Sequence, residues 1–320
     1  MEKGTILITG VAGFIGSHLA EKLLITGYAV IGIDNLANGF RSNLNSIIDN
    51  TNFTFIADNY ESVAFDSLPS LDGIYHLASG KIPRDKNDSG LQTISETMHG
   101  LSWIAEVWKI YKCRLIFTST SEVYGPLATI PFKETEPISI GLPANKRWVY
   151  AASKIHAEQF LFAFAREHAL SLSIARLFSV FGPRQHPTWR GGVQSAFIQQ
   201  VKQGLPIEIH GSGKQKRVFT YIDDAIDALF LMLTTPEAEN RIINIQGSAK
   251  DEIAILDLAK LIISLFRINP TSYQFTYNSE PNSEGEDEIM IKIADTTLAN
   301  ALLNWQPKIN LRQGLQLIIN

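Results

Sequence analysis

The stretch that decides the fold is Thr5-Ile6-Leu7-Ile8-Thr9-Gly10-Val11-Ala12-Gly13-Phe14-Ile15-Gly16. Its first five residues form an apolar run typical of a buried strand, and the amphipathic segment 17–25 begins directly after the glycines. Glycine permits a tight turn and lets backbone N–H groups approach a pyrophosphate at the positive end of the following helix. Because the glycines lie between a strand and a helix, they predict a dinucleotide site rather than an ordinary turn.

Outward from this stretch, short apolar runs alternate with longer amphipathic segments, a pattern typical of a parallel sheet built from strand-helix-strand units. We predict six parallel strands, at 5–9, 29–33, 53–57, 73–77, 114–118 and 173–178. From Gly182 onward, glycine and proline divide the chain into smaller pieces. The fold class predicted is α/β, a doubly wound parallel sheet of the Rossmann type over 1–180, followed by a smaller α/β substrate-binding lobe over 181–320, with some chain crossing between the two.

Composition narrows the classes of protein to which the chain can belong. The 320 residues carry a formal net charge of -4, so the broad basic field of a nucleic-acid-binding protein is missing. A single cysteine, Cys113, allows neither an intramolecular disulfide nor a cysteine-based metal site, and it fits a reducing compartment. No apolar run is long enough to cross a bilayer. We therefore expect a cytoplasmic protein without a metal, a nucleic-acid partner or a membrane partner.

The ends of the predicted strands indicate which dinucleotide binds. Asp34 follows the second strand about 20 residues beyond the glycines, where a carboxylate accepts hydrogen bonds from the adenosine ribose hydroxyls. Its charge would repel a 2'-phosphate and favours NAD, whereas Arg41 leaves NADP as the weaker alternative. Asp58 ends the third strand and is expected to face the adenine. The other predicted cofactor contacts are Gly10, Gly13, Phe14, Ile15, Gly16, Asn35, Asn59, Leu77, Ala78, Ser79, Thr118, Tyr150 and Lys154.

Catalytic side chains are predicted at two places. Tyr150 and Lys154 are four residues apart, so on a helix they share a face. Free tyrosine has a pKa of about 10, and a nearby ammonium favours the phenolate, which is a usable base. Such pairs also arise by chance on solvated helices, but the fifth strand leads into a second polar cluster, Thr-Ser-Thr-Ser-Glu-Val-Tyr-Gly at 118–125. The predicted catalytic set is Thr120, Ser121, Glu122, Tyr150 and Lys154.

These motifs, in this order, resemble those of the extended short-chain dehydrogenases along nearly the whole chain. Further landmarks are His-Leu-Ala-Ser at 76–79, Gly-Pro-Arg at 182–184, Arg-Val-Phe-Thr-Tyr-Ile-Asp-Asp at 217–224 and Trp-Gln-Pro-Lys at 305–308. The resemblance implies NAD in the amino-terminal lobe, a nucleoside-diphosphate sugar in the other lobe, and transient oxidation of the sugar. It also implies a homodimer formed through the helices around 95–111 and 150–166.

The triplet Thr-Ser-Glu at 120–122 resembles that of UDP-glucuronate decarboxylases. Oxidation at carbon 4 makes a carboxyl group on carbon 5 a β-keto acid, which loses carbon dioxide readily. Dehydratases with the same triplet and 4-epimerases stay open as alternatives, as does, more remotely, a non-catalytic NAD-sensing protein. The resemblance implies substrate contacts at Lys81, Arg84, Ser179, Arg184 and Arg217. Ser179 stands where the family usually has Asn, and the acidic segment 279–288 lacks an Arg that often grips the nucleotide ribose.

Overall fold

A seven-stranded parallel sheet forms the centre of the molecule, in a computed structural model that describes residues 3–80, 90–278 and 289–319. Its strands are β1 (Thr5–Thr9), β2 (Ala29–Ile33), β3 (Phe53–Ile56), β4 (Gly73–His76), β5 (Arg114–Thr120), β6 (Leu172–Leu177) and β11 (Arg241–Ile245). The strand order is β11-β6-β5-β4-β1-β2-β3, and every neighbouring pair is parallel. The chain thus winds outward in both directions from the centre, which confirms the predicted doubly wound fold.

Helices cover both faces of this sheet. They are α1 (Phe14–Ile25), α2 (Leu91–Tyr111), α3 (Val149–His168), α4 (Val193–Lys202), α5 (Ile222–Thr234), α6 (Ile255–Leu265), α7 (Thr297–Leu303) and α8 (Leu311–Ile319). Buried apolar side chains of α1 and α5 pack together in one core on one face, and those of α2 and α3 pack in a second core on the other. Side chains of β1 alternate between the two cores, with Ile6 and Ile8 in the first and Leu7 in the second.

The prediction of six strands was wrong by one. β11 pairs with β6 in parallel register, from Arg241 opposite Ser173 to Ile245 opposite Leu177. Its sequence, Arg-Ile-Ile-Asn-Ile, hides a buried strand because a polar residue interrupts the apolar run. That residue, Asn244, is fully buried, and its side chain accepts a hydrogen bond from the Tyr124 hydroxyl at 2.7 Å.

Small sheets follow the central one. β8 (Ile207–His210) pairs with β13 (Phe275–Asn278), and β7 (Val180–Phe181) pairs with β10 (Thr220–Tyr221). β9 (Lys216–Arg217) lies between β12 (Ile253–Ala254) and β14 (Ile291–Lys292). The register of β14 on β9 places Lys292 opposite Arg217. The boundary at residue 180 stays a prediction, with α5 and β11 crossing back to the central sheet.

The carboxyl ends of β1, β4 and β5 lie side by side, and in sheets of this kind ligands bind at such an edge. β5 continues to Thr120, two residues farther than the predicted end at 118, so Thr120 belongs to the strand itself. Within the described ranges, the structure contains no helix with the length and apolar character of a bilayer span.

Candidate active site

A cavity of about 490 Å³ lies over the carboxyl ends of β1, β2 and β4. It brings together most of the predicted cofactor contacts: Gly10, Gly13, Phe14, Ile15, Gly16, Asp34, Asn35, Asn59, Leu77, Ala78, Ser79 and Thr118. The glycines determine the shape of this cavity, because neighbouring backbone segments pack against them too closely to leave room for a side chain. Gly10 has a left-handed φ of +77°, and a Cβ there would lie 2.8 Å from the Ala78 nitrogen. A Cβ on Gly16 would collide with the Gly10 carbonyl oxygen.

Asp34 lies at the adenosine end expected for this cavity, and it is 9% exposed. Its carboxylate accepts hydrogen bonds from the Ala12 nitrogen at 2.9 Å and the Leu36 nitrogen at 2.8 Å. Burial raises the pKa of Asp34, and these backbone hydrogen bonds oppose the rise. A carboxylate with further lone pairs facing the cavity fits the hydroxyls of an adenosine ribose.

Charge in this cavity favours a ribose without a phosphate. Among the residues that the structure describes, no Lys or Arg lines it. The Arg41 guanidinium lies instead 5.6 Å from the centre of the Phe55 ring. Asp58 is not in the lining either, but its carboxylate accepts a hydrogen bond from the Asn59 nitrogen at 2.7 Å. The glycine turn, the helix end and Asp34 together fit NAD.

A second cavity, of about 440 Å³, holds four of the predicted catalytic residues and two of the predicted substrate contacts: Thr120, Ser121, Glu122, Tyr150, Ser179 and Arg217. Its lining also includes Arg147 and Lys292. Thr118 lines the first cavity and Thr120 the second, so the two cavities adjoin at the end of β5. Tyr150 and Thr120 line the same cavity, so both side chains can hydrogen-bond to one hydroxyl of a bound ligand.

Lys154 is buried beside Tyr150. Its Nζ donates a hydrogen bond to the Thr118 carbonyl at 3.0 Å and lies 5.9 Å from the centre of the Tyr150 ring. Burial lowers the pKa of Lys154 to about 8, against the opposing pull of the Glu158 carboxylate. The nearby His76 ring is hydrogen-bonded to the Thr9 hydroxyl, 2.8 Å away. Burial and the Lys154 ammonium lower the pKa of His76 to about 3, so this ring is neutral.

Glu122 lies in a cluster of cations in the second cavity. Its carboxylate contacts the Lys292 ammonium directly, and Arg147 Nη2 lies 3.8 Å from Glu122 Oε2. Burial alone would raise the pKa of Glu122, but Lys292, Arg147 and then Arg217 outweigh it and lower the pKa to about 2. Burial lowers the pKa of Lys292 to about 8, although Glu122 opposes this shift.

Sequence reasoning assigned no role to Lys292 or Arg147. Lys292 lies 170 residues from Glu122 in the chain, and only the pairing of β14 with β9 brings it to the cavity. Arg147 lies just before α3, three positions ahead of Tyr150. A pattern of basic residues at these two places has no meaning until the fold is known. For Arg147, the one local signal was its place three residues before Tyr150, the predicted base.

The predicted substrate contacts divide into three groups. Ser179 lines the second cavity in a left-handed conformation, with φ of +41°. Arg184 does not reach that cavity: its Nη2 lies 2.6 Å from Glu21 Oε1, and it lines a separate space of about 140 Å³. Lys81, Arg84 and the segment 279–288 lie outside the described residues. In the described part of the chain, no group of three or more His, Cys, Asp and Glu side chains is arranged as a metal site.

Known proteins that resemble this chain are enzymes of nucleotide sugars. Residues 6–245 match the NAD dependent epimerase/dehydratase family. The chain is 32% identical over 315 residues to UDP-glucuronic acid decarboxylase 1 of Arabidopsis thaliana, covering 98% of this chain and 69% of that protein. It is 30% identical over 314 residues to UDP-N-acetyl-alpha-D-glucosaminuronate decarboxylase of Bacillus cytotoxicus, covering 98% of this chain and 96% of that one.

Among solved structures, the UDP-glucuronic acid 4-epimerase of Bacillus cereus, in complex with UDP-glucuronic acid and NAD, superposes with a TM-score of 0.86. It is 28% identical to this chain, and the match covers 98% of each chain. The similarity therefore extends through both cavities and beyond the carboxyl-terminal limit of the family match at residue 245.

Proposed function

We propose, from the premise that the chain belongs to the NAD dependent epimerase/dehydratase family, that it decarboxylates UDP-glucuronate through a 4-keto intermediate. Members of this family are NAD-dependent enzymes that modify nucleotide sugars. That membership removes the non-catalytic alternative, but it leaves the reaction and the sugar to be argued from the second cavity. Both curated relatives described above are named as decarboxylases of a uronate sugar nucleotide, which supports the choice.

The observation that carries the proposal is the charge around Glu122. Among the described residues, the Glu122 carboxylate contacts the Lys292 ammonium and lies close to the Arg147 guanidinium, and Arg217 lines the same cavity. Lys292 is 7% exposed at its side chain, so its charge is poorly solvated and favours an anionic partner. A second carboxylate, carried by the substrate, would give Lys292 and Arg147 a further anionic partner. The diphosphate is common to all sugar nucleotides, whereas only a uronate adds a carboxylate beside carbon 4, where Glu122 follows Thr120, so the cluster favours a uronate.

The chain's own residues supply the first step. We assign Tyr150 as the base that takes the proton of the carbon 4 hydroxyl, with the Thr120 hydroxyl sharing that proton's hydrogen bond. Lys154 holds the phenolate by its positive charge. When bound, NAD accepts the hydride that leaves carbon 4. Carbon 4 is thereby oxidised to a ketone, and its hydroxyl proton rests on Tyr150.

Loss of carbon dioxide then needs no external base. The bond from carbon 5 to the carboxylate breaks, its electron pair moves toward the ketone oxygen as an enolate, and carbon 5 later takes up a proton. Glu122 carries no proton at neutral pH because its pKa is about 2. Lys292, with a pKa lowered to about 8, is the member of that ion pair that carries one. We propose that the Lys292–Glu122 pair lies beside carbon 5 of the sugar and that its ammonium binds the substrate carboxylate.

Dehydration is the second candidate, and one observation favours it. An ionised Glu122 beside the sugar is suited to remove the proton from carbon 5, the step that precedes loss of water from carbon 6. A 4-epimerase would use Tyr150, Thr120 and Lys154 without needing Glu122. The three reactions share the ketone and differ in what happens at carbon 5.

We also propose that the protein is a homodimer formed through α2 and α3. Leu91, Ile94 and Met98 of α2 are 69%, 38% and 51% exposed, and their spacing places them on one side of the helix. Apolar side chains aligned in this way are typical of a surface that another subunit covers.

We also propose that the protein is cytoplasmic, because its one cysteine is unpaired and fits a reducing compartment. Cys113 is the free cysteine of the chain, and burial raises the pKa of its thiol to about 12. The neutral thiol is therefore unreactive at physiological pH, as suits a residue that is part of the packing.

The experiment that tests the reaction is product analysis by mass spectrometry with trapping of carbon dioxide. The purified protein is incubated with NAD in three separate reactions, which contain UDP-glucuronate, UDP-glucose or a GDP-hexose. We expect carbon dioxide and a UDP-pentose, or its 4-keto form, from UDP-glucuronate alone. Loss of water from UDP-glucose or the GDP-hexose, which carry no carboxylate, would establish the dehydratase instead. A product of unchanged mass that separates from its substrate by chromatography would establish the epimerase.

A further inference from the structure

A deeply buried ion pair lies beneath the active site. Arg176 on β6 donates from Nε to Glu158 Oε1 at 3.0 Å and from Nη2 to Glu158 Oε2 at 2.7 Å. Both residues are 3% exposed. Burying two charges costs solvation that their attraction only partly returns, and apolar replacements of such pairs are often equally stable. Fold stability is therefore a weak explanation for this pair.

The position of Glu158 connects it to the proposed catalytic lysine. Glu158 lies on α3 four residues after Lys154, so the two side chains lie on one face of the helix, a turn apart. The Glu158 carboxylate is the group that opposes the lowering of the Lys154 pKa by burial. Tyr150 lies one further turn back on the same helix. Glu158, Lys154 and Tyr150 thus form a row that leads to the second cavity.

Arg176 connects the same pair to the strand-end segment. Its guanidinium lies 4.7 Å from the centre of the Tyr124 ring, and the Tyr124 hydroxyl donates to Asn244 Oδ1 at 2.7 Å. Tyr124 ends the short helix that begins at Ser121, directly after Thr120. The helix that carries Tyr150 and the segment that carries Thr120 therefore both pack on Arg176 or its partner.

The remaining charges near Lys154 are balanced or neutral. His76 of β4 is neutral, and β5 contributes the Thr118 carbonyl and the Phe117 ring face, 4.6 Å from the Lys154 ammonium. On the substrate side, Glu122 contacts Lys292 and lies 3.8 Å from Arg147. Arg176 lies behind Glu158 and weakens its pull.

We propose that Glu158 and Arg176 are positioning residues that keep the buried Lys154 protonated and fixed beneath Tyr150. This inference rests on the proposed roles of Tyr150 and Lys154. Glu158 supplies the charge that stabilises the Lys154 ammonium, and Arg176 holds the carboxylate in place and limits its effect. Neither residue touches the substrate or the cofactor.

The test is the alkaline limb of the pH profile of kcat, measured for holoenzyme variants from pH about 5 to about 10. Glu158→Gln leaves the Arg176 charge uncompensated, and we expect the limb to move to lower pH by roughly one unit. Arg176→Met leaves Glu158 unopposed, and the limb should move to higher pH. The double variant Glu158→Gln/Arg176→Met should fall between the wild-type protein and Glu158→Gln. It is expected to fold even if a single variant does not, because it leaves no buried unpaired charge.

Glu167→Gln is the matched control, since Glu167 lies on the same helix but is 77% exposed at its side chain. It should leave the limb in place. A purely structural role for the pair would lower kcat or stability in the single variants without moving the limb in opposite directions, and that result would overturn the proposal.

A second readout does not depend on turnover. The 13Cε chemical shift of Lys154, assigned by comparison with Lys154→Met in lysine-labelled protein, reports its protonation directly. The same order of midpoints is expected there. If UDP-glucuronate is not a substrate, only the proposed reaction fails, whereas unmoved Lys154 midpoints in both single variants refute the positioning role whatever the substrate is.

Discussion

The two cavities that meet at the end of β5 are similar in volume and opposite in construction. The first cavity, proposed for the cofactor, is lined by glycines, apolar and aromatic side chains, and acidic or amide side chains, with no Lys or Arg from the described residues. The substrate cavity is lined by Glu122 with Arg147, Arg217 and Lys292. On the proposed function, a dinucleotide is held largely by backbone geometry, whereas the sugar nucleotide is selected by charge. Binding the dinucleotide restricts which residues can stand at the close backbone contacts. Selecting the sugar nucleotide depends on which charged side chains the fold brings together.

The largest effect should come from the point where the cavities join. Tyr150→Phe removes the proposed base and should lower kcat by about 10³-fold while NAD still binds, because the lost hydroxyl serves proton transfer rather than affinity. Product formation and bound nucleotide per protein chain are the measurements. Unchanged turnover would show that the base lies elsewhere.

A smaller effect should separate the cavities by charge. Lys292→Gln should raise KM for UDP-glucuronate by about 10- to 100-fold, because one cation facing the substrate carboxylate is lost. Its effect on UDP-glucose, whose sugar carries no carboxylate, should be much weaker when measured by competitive binding. Lys216→Gln is the matched control, since Lys216 pairs with Glu252 and is 48% exposed at its side chain. Equal losses for UDP-glucuronate and UDP-glucose would contradict the uronate assignment.

The cofactor cavity has its own charge test. Asp34→Asn removes the carboxylate that would face a 2'-phosphate, and it should raise the affinity for NADP relative to NAD by about 10-fold. Both affinities are obtained by calorimetry on protein freed of nucleotide. No change in the ratio would mean that Asp34 serves only to accept the hydrogen bonds of Ala12 and Leu36.

The smallest effect expected is the pH dependence of substrate affinity. Burial lowers the pKa of Lys292 to about 8, so this cation is charged below that pH and loses its charge as the pH rises through it. KM for UDP-glucuronate should therefore rise several-fold above pH about 8, and Lys292→Gln should abolish this rise. A KM that stays flat in the wild-type protein would place the substrate carboxylate away from Lys292.

The same contrast explains how much the sequence could predict. The cofactor cavity is built largely from residues that directly follow β1, β2 and β4, with Thr118 from β5, so neighbours in the sequence are neighbours in space. Thr120 and Tyr150 were predictable for a similar reason, because each lies at a strand end or on a helix face with its partner. Lys292 was not, because it reaches Glu122 only through the pairing of two-residue strands in the second lobe.

Two other differences have physical causes of the same kind. β11 was missed because Asn244, whose hydrogen bonds are satisfied inside the protein, interrupts its apolar run. Arg184 was predicted to contact the substrate, but its guanidinium pairs with Glu21 of α1 and anchors the chain after β7 to that helix. Pairing of a charged side chain with a distant partner is not visible in local sequence.

The most direct test of the joined cavities is hydride transfer from carbon 4. UDP-glucuronate deuterated at that carbon is mixed with the NAD-loaded protein, and reduced nicotinamide is followed by stopped-flow absorbance. We expect reduced nicotinamide to form transiently and several-fold more slowly than with unlabelled substrate. This transient should be absent in Tyr150→Phe. Carbon dioxide release without any reduced nicotinamide, or at a rate indifferent to the label and to Tyr150, would contradict oxidation at the junction of Thr120 and Tyr150.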